Sequence, residues 1–296
     1  MIHTMRDSYP QKGLGELCRL LGITRQAYYK HARHIRRWQI EAEIVLKEVQ
    51  SIRRAHPRMG VRKLYVLLCP MLQAHGIKMG RDALFNLLAE YRLLVRPRRR
   101  AVYTTYSRHR FYKWPNLIKG YVPTASNQLY VSDITYWRIR TGFVYISLIT
   151  DAYSHKIVGY HVSPTLDAVE TLCALSDALH HFGDGTGHLI HHSDRGVQYC
   201  SDAYVALLQK HHVHISMTDS SEPTDNPVAE RVNGILKNEY LYKYNVATLQ
   251  QARKALTQAV TLYNQYRPHM SIGMMTPNSV HAFNTKTKNI WKKTCS

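Results

Sequence analysis

The chain has 296 residues, 45% of them hydrophobic, and a net charge of +20. This length suits one sizeable core plus one or two smaller modules. No run approaches the roughly 18 consecutive apolar residues of a membrane span, and residues 1–10 lack the apolar core of a secretory signal. Scattered cysteines without a CxxC pair argue against a zinc knuckle and indicate reduced thiols. We therefore expect a cytoplasmic protein with no membrane partner.

The positive charge is concentrated in the first part of the chain. Residues 1–120 contain 25 Lys and Arg against 7 Asp and Glu, a net +18, whereas residues 121–296 contain 15 against 13, a net +2. A basic half joined to a nearly neutral half indicates a polyanion-binding region attached to a domain with another task. In the cytoplasm the expected polyanion is nucleic acid.

The first predicted module, residues 1–38, has a helix-turn-helix pattern. Apolar residues recur at helical spacing at Leu14, Leu17 and Leu21. Gly22 then indicates a turn, and Thr24 is a plausible N-cap for a second short helix over residues 25–31. In the DNA-binding version that helix enters the major groove. Its outward side chains would be Arg25, Gln26 and Lys30. A plain helical hairpin has the same periodicity.

A second helical module is predicted over residues 39–100. One helix is marked by Leu64, Leu67 and Leu68, and after a break at Gly76 another is marked by Leu84, Leu87, Leu88 and Tyr91. The module ends in the basic run Arg96, Pro97, Arg98, Arg99 and Arg100. Residues 101–124 follow as a basic linker that also carries aromatic side chains, which could stack on bases. We predict phosphate contacts from the four arginines; a solvated linker is the alternative.

The period changes in residues 125–282, where strand-like runs appear. Strands are predicted over residues 129–137, 143–150, 156–162, 188–192 and 214–217, and helices over 165–182, 201–210, 227–240 and 249–266. A meander of three strands followed by alternating helices and strands indicates an α/β fold, a mixed sheet with helices on its faces. Residues 283–296 form a basic tail.

Three carboxylates in this domain are candidate ligands for metal ions. Asp133 lies mid-strand, where a charge is costly unless it is paired or binds a cation; an exposed edge strand is the alternative. Asp194 ends a strand before a turn, a favoured position for ligand-binding residues, although turn capping would also explain it. Glu230 lies in the opening turns of a helix that begins at Asn226, the predicted N-cap, and Pro227. By itself it could be a solvated glutamate.

Together the three residues have a spacing suited to a two-metal site. Asp133 and Asp194 are 61 positions apart, and 35 residues separate Asp194 from Glu230. Two hard cations about 4 Å apart need several carboxylates, with room for water and phosphate oxygens. Lys237, seven residues after Glu230, would lie on the same helix face and contact DNA phosphate. His191 and His192 are expected to be structural or to support the metal ligands.

Several motifs resemble those of the insertion-sequence transposases whose catalytic protein is read from the second of two overlapping frames. SDITYW resembles that family's first-aspartate strand, HHSDRGVQYCS its second-aspartate segment, and DNPVAERVNGILKNEY its glutamate helix. YNQYRPHMSIGMMTPNSVH resembles its C-terminal segment. The two helical modules resemble its N-terminal DNA-binding modules. In this order and at this spacing, the set is highly specific.

The resemblance implies a retroviral-integrase-like catalytic core with an RNase H-like fold, preceded by all-α helix-turn-helix modules. It implies two Mg²⁺ ions, replaceable by Mn²⁺, on Asp133, Asp194 and Glu230. The expected reaction cuts the element's ends and joins the freed 3′-hydroxyl to DNA. Duplex DNA, both terminal inverted repeats and target, would bind with contacts that include Asn226. A homo-oligomer on DNA is expected, with an upstream-frame DNA-binding protein as partner or frameshift fusion.

Three other functions share some of these features. A retroviral-type integrase would normally add a His/Cys zinc module at the N-terminus, and no cysteine pair is present. An inactive DNA-binding regulator would not need three carboxylates. A ribonuclease H would share the metals but not the two helix-turn-helix modules.

Overall fold

The computed structural model describes residues 11–95, 111–182, 188–219 and 226–284. The chain divides into two compact units. The first comprises the described chain up to Arg54 together with Leu67–Leu93; the second comprises Ala55–Val66 together with the chain from Leu94 onward. The short segment Ala55–Val66 therefore belongs with the C-terminal unit, although it lies upstream of the linker.

The predicted helix-turn-helix pattern is present, but its second helix is much longer than expected. α1 spans Leu14–Leu20, Gly22 adopts φ of +67°, and Thr24 accepts a hydrogen bond from the Ala27 amide at 3.1 Å. The prediction that the next helix ends at residue 31 is wrong, because α2 runs over Arg25–Ala55. No Gly or Pro interrupts it. The module boundary expected after residue 38 therefore falls inside α2.

The next two helices match the periodicity in the sequence. α3 spans Val61–Ala74 and α4 spans Arg81–Glu90. Gly76 lies between them with φ of +63°, a conformation that favours glycine. The leucines that mark α4 are fully buried, as expected for its apolar stripe: Leu84, Leu87 and Leu88. The arginine run 96–100 lies outside the described residues.

A five-stranded mixed sheet forms the centre of the C-terminal unit. Its strands are β1 Leu129–Ile139, β2 Gly142–Asp151, β3 Ile157–Ser163, β4 Ile190–Ser193 and β5 His214–Met217. They lie in the order β3-β2-β1-β4-β5. The first three pair antiparallel, whereas β4 pairs parallel with β1 and β5 parallel with β4. The predicted RNase H-like mixed sheet is confirmed, with β1 as its central strand.

Helices cover both faces of this sheet. One face carries α5 Ala168–Phe182, α6 Val197–Cys200 and α7 Asp202–Lys210; the other carries α8 Pro227–Ile235 and α9 Leu249–Tyr266, with α10 Pro277–Phe283 near the C-terminus. Each face has its own apolar core. Val232 of α8 and Leu256 of α9 pack with Trp137 and Leu148, and Leu175 of α5 packs with Ile149.

The helix predicted over residues 227–240 changes its hydrogen-bonding pattern partway. The α-helical part ends at Ile235, a π-helical turn covers Leu236–Tyr240, and a 3₁₀ turn covers Leu241–Lys243. A hydrophobic periodicity cannot distinguish these helix types here, because each of the two turns is too short for its own period to show. Among the described residues, no helix is long and apolar enough to cross a membrane.

Candidate active site

The pairing of β1 with β4 brings two of the predicted carboxylates side by side. Val131 pairs with His192 in this parallel ladder. Asp133 and Asp194 each lie two residues further along, so both side chains emerge on the same face at adjacent positions. That face is the one covered by α8. An edge-strand position for Asp133 is excluded, because β1 is the central strand.

The Asp133 carboxyl group is in an unfavourable environment for its negative charge. Burial, then the charge of Asp194 and to a smaller extent that of Glu230, raises its pKa to about 7. A hydrogen bond from Asn233 Nδ2 to Asp133 Oδ2, at 2.6 Å, acts in the opposite direction. The effect of burial and of the neighbouring carboxylates on the Asp133 pKa therefore exceeds that of this hydrogen bond.

The other two carboxylates approach from a turn and from a helix. Asp194 Oδ1 accepts a hydrogen bond from the Gly196 amide at 3.0 Å, so its predicted turn-capping role and a position in the site coexist. Glu230 is exposed in the first turns of α8, and its amide bonds to the Asn226 carbonyl at 3.2 Å. The helix dipole there favours a negative charge.

Asn226 is the N-cap residue of α8 and Pro227 its first residue, as predicted, but the Asn226 side chain makes no capping hydrogen bond. Its Nδ2 instead donates to the Ser132 carbonyl at 2.9 Å, which ties the start of α8 to the residue before Asp133. Asn233 was not singled out from the sequence. The available signal was its position three residues after Glu230, which places it on the same helix face.

Lys237 lies on the active-site side of its helix, as predicted. Its Nζ donates to Thr135 Oγ1 at 3.1 Å and lies 4.4 Å from the centre of the Tyr136 ring. Burial lowers the pKa of Lys237, and the charge of Asp133 offsets only part of that shift. Thr135 is two residues after Asp133 on the same face of β1. Lys237 is therefore a cation held close to the carboxylates.

Two buried histidines, His191 and His192, lie on β4 just before Asp194. His191 Nε2 is 2.7 Å from Ser132 Oγ and 3.0 Å from the Tyr204 hydroxyl, and His192 Nδ1 is 2.9 Å from Ser216 Oγ. Burial lowers the pKa of His191 to about 3, so its ring is neutral. The structural role predicted for both histidines agrees with these contacts, which bind β4 to β1 and β5.

The donor set is chemically suited to hard divalent cations, which prefer carboxylate oxygens. Burial and, to a smaller extent, the charges of Asp194 and Glu230 raise the pKa of Asp133, and bound cations would favour its ionised form. Over the described ranges, no three His, Cys, Asp or Glu side chains are gathered closely enough to form a metal cluster. Asp133 and Asp194 are brought together by the sheet, whereas Glu230 contributes its charge from the helix.

The residues predicted to contact DNA from the N-terminal module are accessible. Arg25, Gln26 and Lys30 are exposed on α2, while Tyr28 between them is buried. Their contact with DNA stays a prediction, as does that of Asn226. Arg96, Arg98, Arg99 and Arg100 lie outside the described residues.

Comparison with known proteins gives a consistent family. A family profile described as "Integrase core domain" matches residues 123–223, and a second profile of the same description matches residues 211–277. The "Insertion element IS600 uncharacterized 31 kDa protein" of Shigella sonnei is 32% identical, over 88% of this chain and 96% of that protein. The "Transposase for insertion sequence element IS629" of the same species is 29% identical, over 94% of this chain and 93% of that protein.

Among solved structures, the magnesium complex of the HTLV-2 integrase catalytic core domain is 20% identical, with a TM-score of 0.43, over 53% of this chain and 97% of that one. The relatives above cover nearly the full chain, and the integrase core profiles fall on the sheet and helices that carry Asp133, Asp194 and Glu230. The chain therefore belongs to the insertion-sequence transposases with an integrase core domain, which are DNA transposases of the DDE polynucleotidyl transferase class.

Proposed function

We propose that Asp133, Asp194 and Glu230 are the catalytic metal ligands of this transposase. A core of this class uses divalent metal ions; we assign two Mg²⁺ ions, with Mn²⁺ as a substitute. The observation that carries the proposal is the parallel register of β1 and β4, which sets Asp133 beside Asp194 on the face covered by α8. The raised pKa of Asp133 supports it.

When bound, two such cations activate the attacking oxygen and stabilise the charge that develops at phosphorus. The chain's own residues prepare for this. Asn233 orients the Asp133 carboxylate through its 2.6 Å hydrogen bond, and the Gly196 amide orients that of Asp194. Glu230 would complete the ligand set from α8. The reaction assigned to this site is cleavage at the element's ends, followed by joining of the 3′-hydroxyl to another DNA strand.

DNA is the substrate, and we assign the element's terminal inverted repeats and the target duplex to different parts of the chain. The helix-turn-helix residues Arg25, Gln26 and Lys30 would read the repeats. The four arginines of residues 96–100 and Asn226 would also contact DNA, and Lys237 would hold a phosphate beside the carboxylates. We further propose a homo-oligomer on DNA, an upstream-frame protein as partner or frameshift fusion, and a cytoplasmic, nucleoid-associated location.

The triad is tested by removing each charge while keeping the side-chain size. Asp133→Asn, Asp194→Asn and Glu230→Gln should each lower cleavage and joining by orders of magnitude, because one metal pair serves both steps. Duplex binding, measured by anisotropy, should persist. The matched control is Asp202→Asn at the first turn of α7, which should keep full activity. If a triad variant cleaved at the wild-type rate, the substituted residue would not be a metal ligand.

Lys237 is tested separately, because its proposed role is in DNA binding. Lys237→Ala should weaken strand joining at limiting DNA more than it weakens Mg²⁺ binding. Lys254→Ala, an exposed lysine on α9, provides the control. Equal joining by the two variants would show that Lys237 has no role in binding DNA.

A further inference from the structure

A π-helical turn joins the active-site helix to a buried cluster of polar side chains. This turn, Leu236–Tyr240, follows α8 directly and contains Lys237, Glu239 and Tyr240. Lys237 reaches β1, at Thr135. π-helical turns are rare and occur mostly as single turns at functional sites. Two contacts from outside the helix hold this turn, one at Glu239 and one at Tyr240.

The first outside contact is a bidentate ion pair with Arg267, which follows α9. Arg267, only 1% exposed, directs Nε to Glu239 Oε2 at 2.8 Å and Nη2 to Oε1 at 2.7 Å. Its Nη1 is 2.9 Å from His269 Nε2. Lys63 Nζ lies 3.6 Å from Glu239 Oε1. Two cations therefore hold the Glu239 carboxylate. Because the Arg267 guanidinium donates to both of its oxygens, the orientation of the carboxylate is fixed as well as its position.

The second outside contact holds the last residue of the turn. The Tyr240 hydroxyl lies 2.9 Å from His56 Nδ1, and both side chains are buried. Burial and the charge of Arg267 lower the pKa of His56 to about 4, so the ring is neutral and serves as a hydrogen-bond partner. His56 and Lys63 both belong to Ala55–Val66, the upstream segment that forms one compact unit with the sheet.

These contacts determine where the turn ends. Conversion of the π-turn to α-helical bonding would shift the hydrogen-bond register by one residue. The residues that follow would then rotate about the helix axis by about 100°. Glu239 and Tyr240 would then lose Arg267 and His56, so their anchors oppose the conversion. We propose that Glu239 and Tyr240 are positioning residues for Lys237, and that Ala55–Val66 and Arg267 are therefore functional parts of the catalytic unit. This inference rests on the DNA-binding role proposed for Lys237.

A double-mutant cycle in the full chain tests this coupling. The readout is joining of a labelled duplex, carrying the inverted repeat that flanks the gene, in Mg²⁺ at limiting DNA. Tyr240→Phe removes one hydroxyl and should slow joining about fivefold, as expected for the loss of one hydrogen bond. In the Lys237→Ala background, the same change should slow joining no further. Glu239→Gln should behave in the same way with a larger effect.

Tyr263→Phe is the matched control. Tyr263 is also fully buried, and its hydroxyl donates to the His155 carbonyl at 3.0 Å, outside the turn. It should lower the melting temperature about as much as Tyr240→Phe does, with joining unchanged. If Glu239→Gln does not fold, Tyr240→Phe decides the question.

The outcomes distinguish a failure of this inference from a failure of the role proposed for Lys237. Equal slowing by Tyr240→Phe with and without Lys237 would show a purely structural role and overturn the inference, while leaving the role of Lys237 intact. Wild-type joining by Lys237→Ala alone would overturn the proposed role of Lys237, and the inference with it. Slowing that depends on Lys237 supports both.

Discussion

The carboxylate cluster should make the metal-free protein less stable than a variant that lacks one of its charges. Asp133 is the residue to change, because its pKa is raised from 3.8 to about 7 by burial and by the charges of Asp194 and Glu230. One pKa unit corresponds to about 1.4 kcal/mol, so this rise sets an upper limit of about 4 kcal/mol on the cost of its ionisation. Asn keeps the hydrogen bond from Asn233 and removes the charge.

The direction in which stability changes with pH follows from proton binding. With a raised pKa in the folded state, the folded protein binds the proton more tightly than the unfolded chain does. Stability due to this group is therefore greatest below pH 3.8 and falls as the pH rises to about 7. At pH 8 in EDTA, Asp133→Asn should raise the free energy of unfolding by about 2 kcal/mol and Tm by about 4–8 °C. At pH 5 the gain should shrink by more than half.

Thermal unfolding of the two proteins with and without Mg²⁺ is the assay. Mg²⁺ should stabilise the wild type by binding the folded state, and should have much less effect on the variant. Asp151→Asn is the control, because that buried carboxylate accepts hydrogen bonds from the Asn127 and Ser154 amides at 2.7 Å and should be destabilising to replace. An unchanged or lower Tm for Asp133→Asn in EDTA at pH 8 would refute the reasoning.

Two further predictions concern packing and DNA binding. Gly159→Ala should destabilise the core by about 3 kcal/mol or more, since its Cβ would lie 2.1 Å from the Ala174 carbonyl oxygen; Gly234→Ala, with no atom within 4 Å, should stabilise α8 by up to about 1 kcal/mol. Both are measured by thermal unfolding, and equal shifts would contradict the packing argument. Arg25→Ala with Lys30→Ala should weaken duplex binding and reduce its salt dependence, measured by anisotropy; an unchanged salt slope would exclude phosphate contacts there.

The sheet and its helices could be predicted because their signals are local. Alternating apolar residues produced all five strands, and the acidic positions within or just after them were visible as exceptions to the pattern. The order of the strands explains why two of these acidic residues, Asp133 and Asp194, lie side by side. That coincidence was implied by resemblance to a family and follows physically only from the pairing of β1 with β4.

The features that were missed depend on partners far apart in sequence. Asn233 acquires a role only because Asp133 lies opposite it, 100 residues upstream. The buried pair of Glu239 with Arg267 and the contact of Tyr240 with His56 join segments separated by 28 and 184 positions. The extension of α2 to Ala55 was missed for a different reason: a short helix was inferred from its cap alone, although Pro57, two residues after Ala55, is a signal for the helix end.

The parallel pairing of β1 and β4 also determines which length changes this chain can tolerate. Residues 152–189 separate β2 from β4, and lengthening the loops within this stretch would not alter the distance between Asp133 and Asp194. Deleting one residue between Leu129 and Asp133 would, by contrast, move the carboxylate to the opposite face of the sheet, because side chains alternate along a strand. Natural variants should therefore differ in length in these loops, while the four-residue offset from Leu129 to Asp133 stays constant.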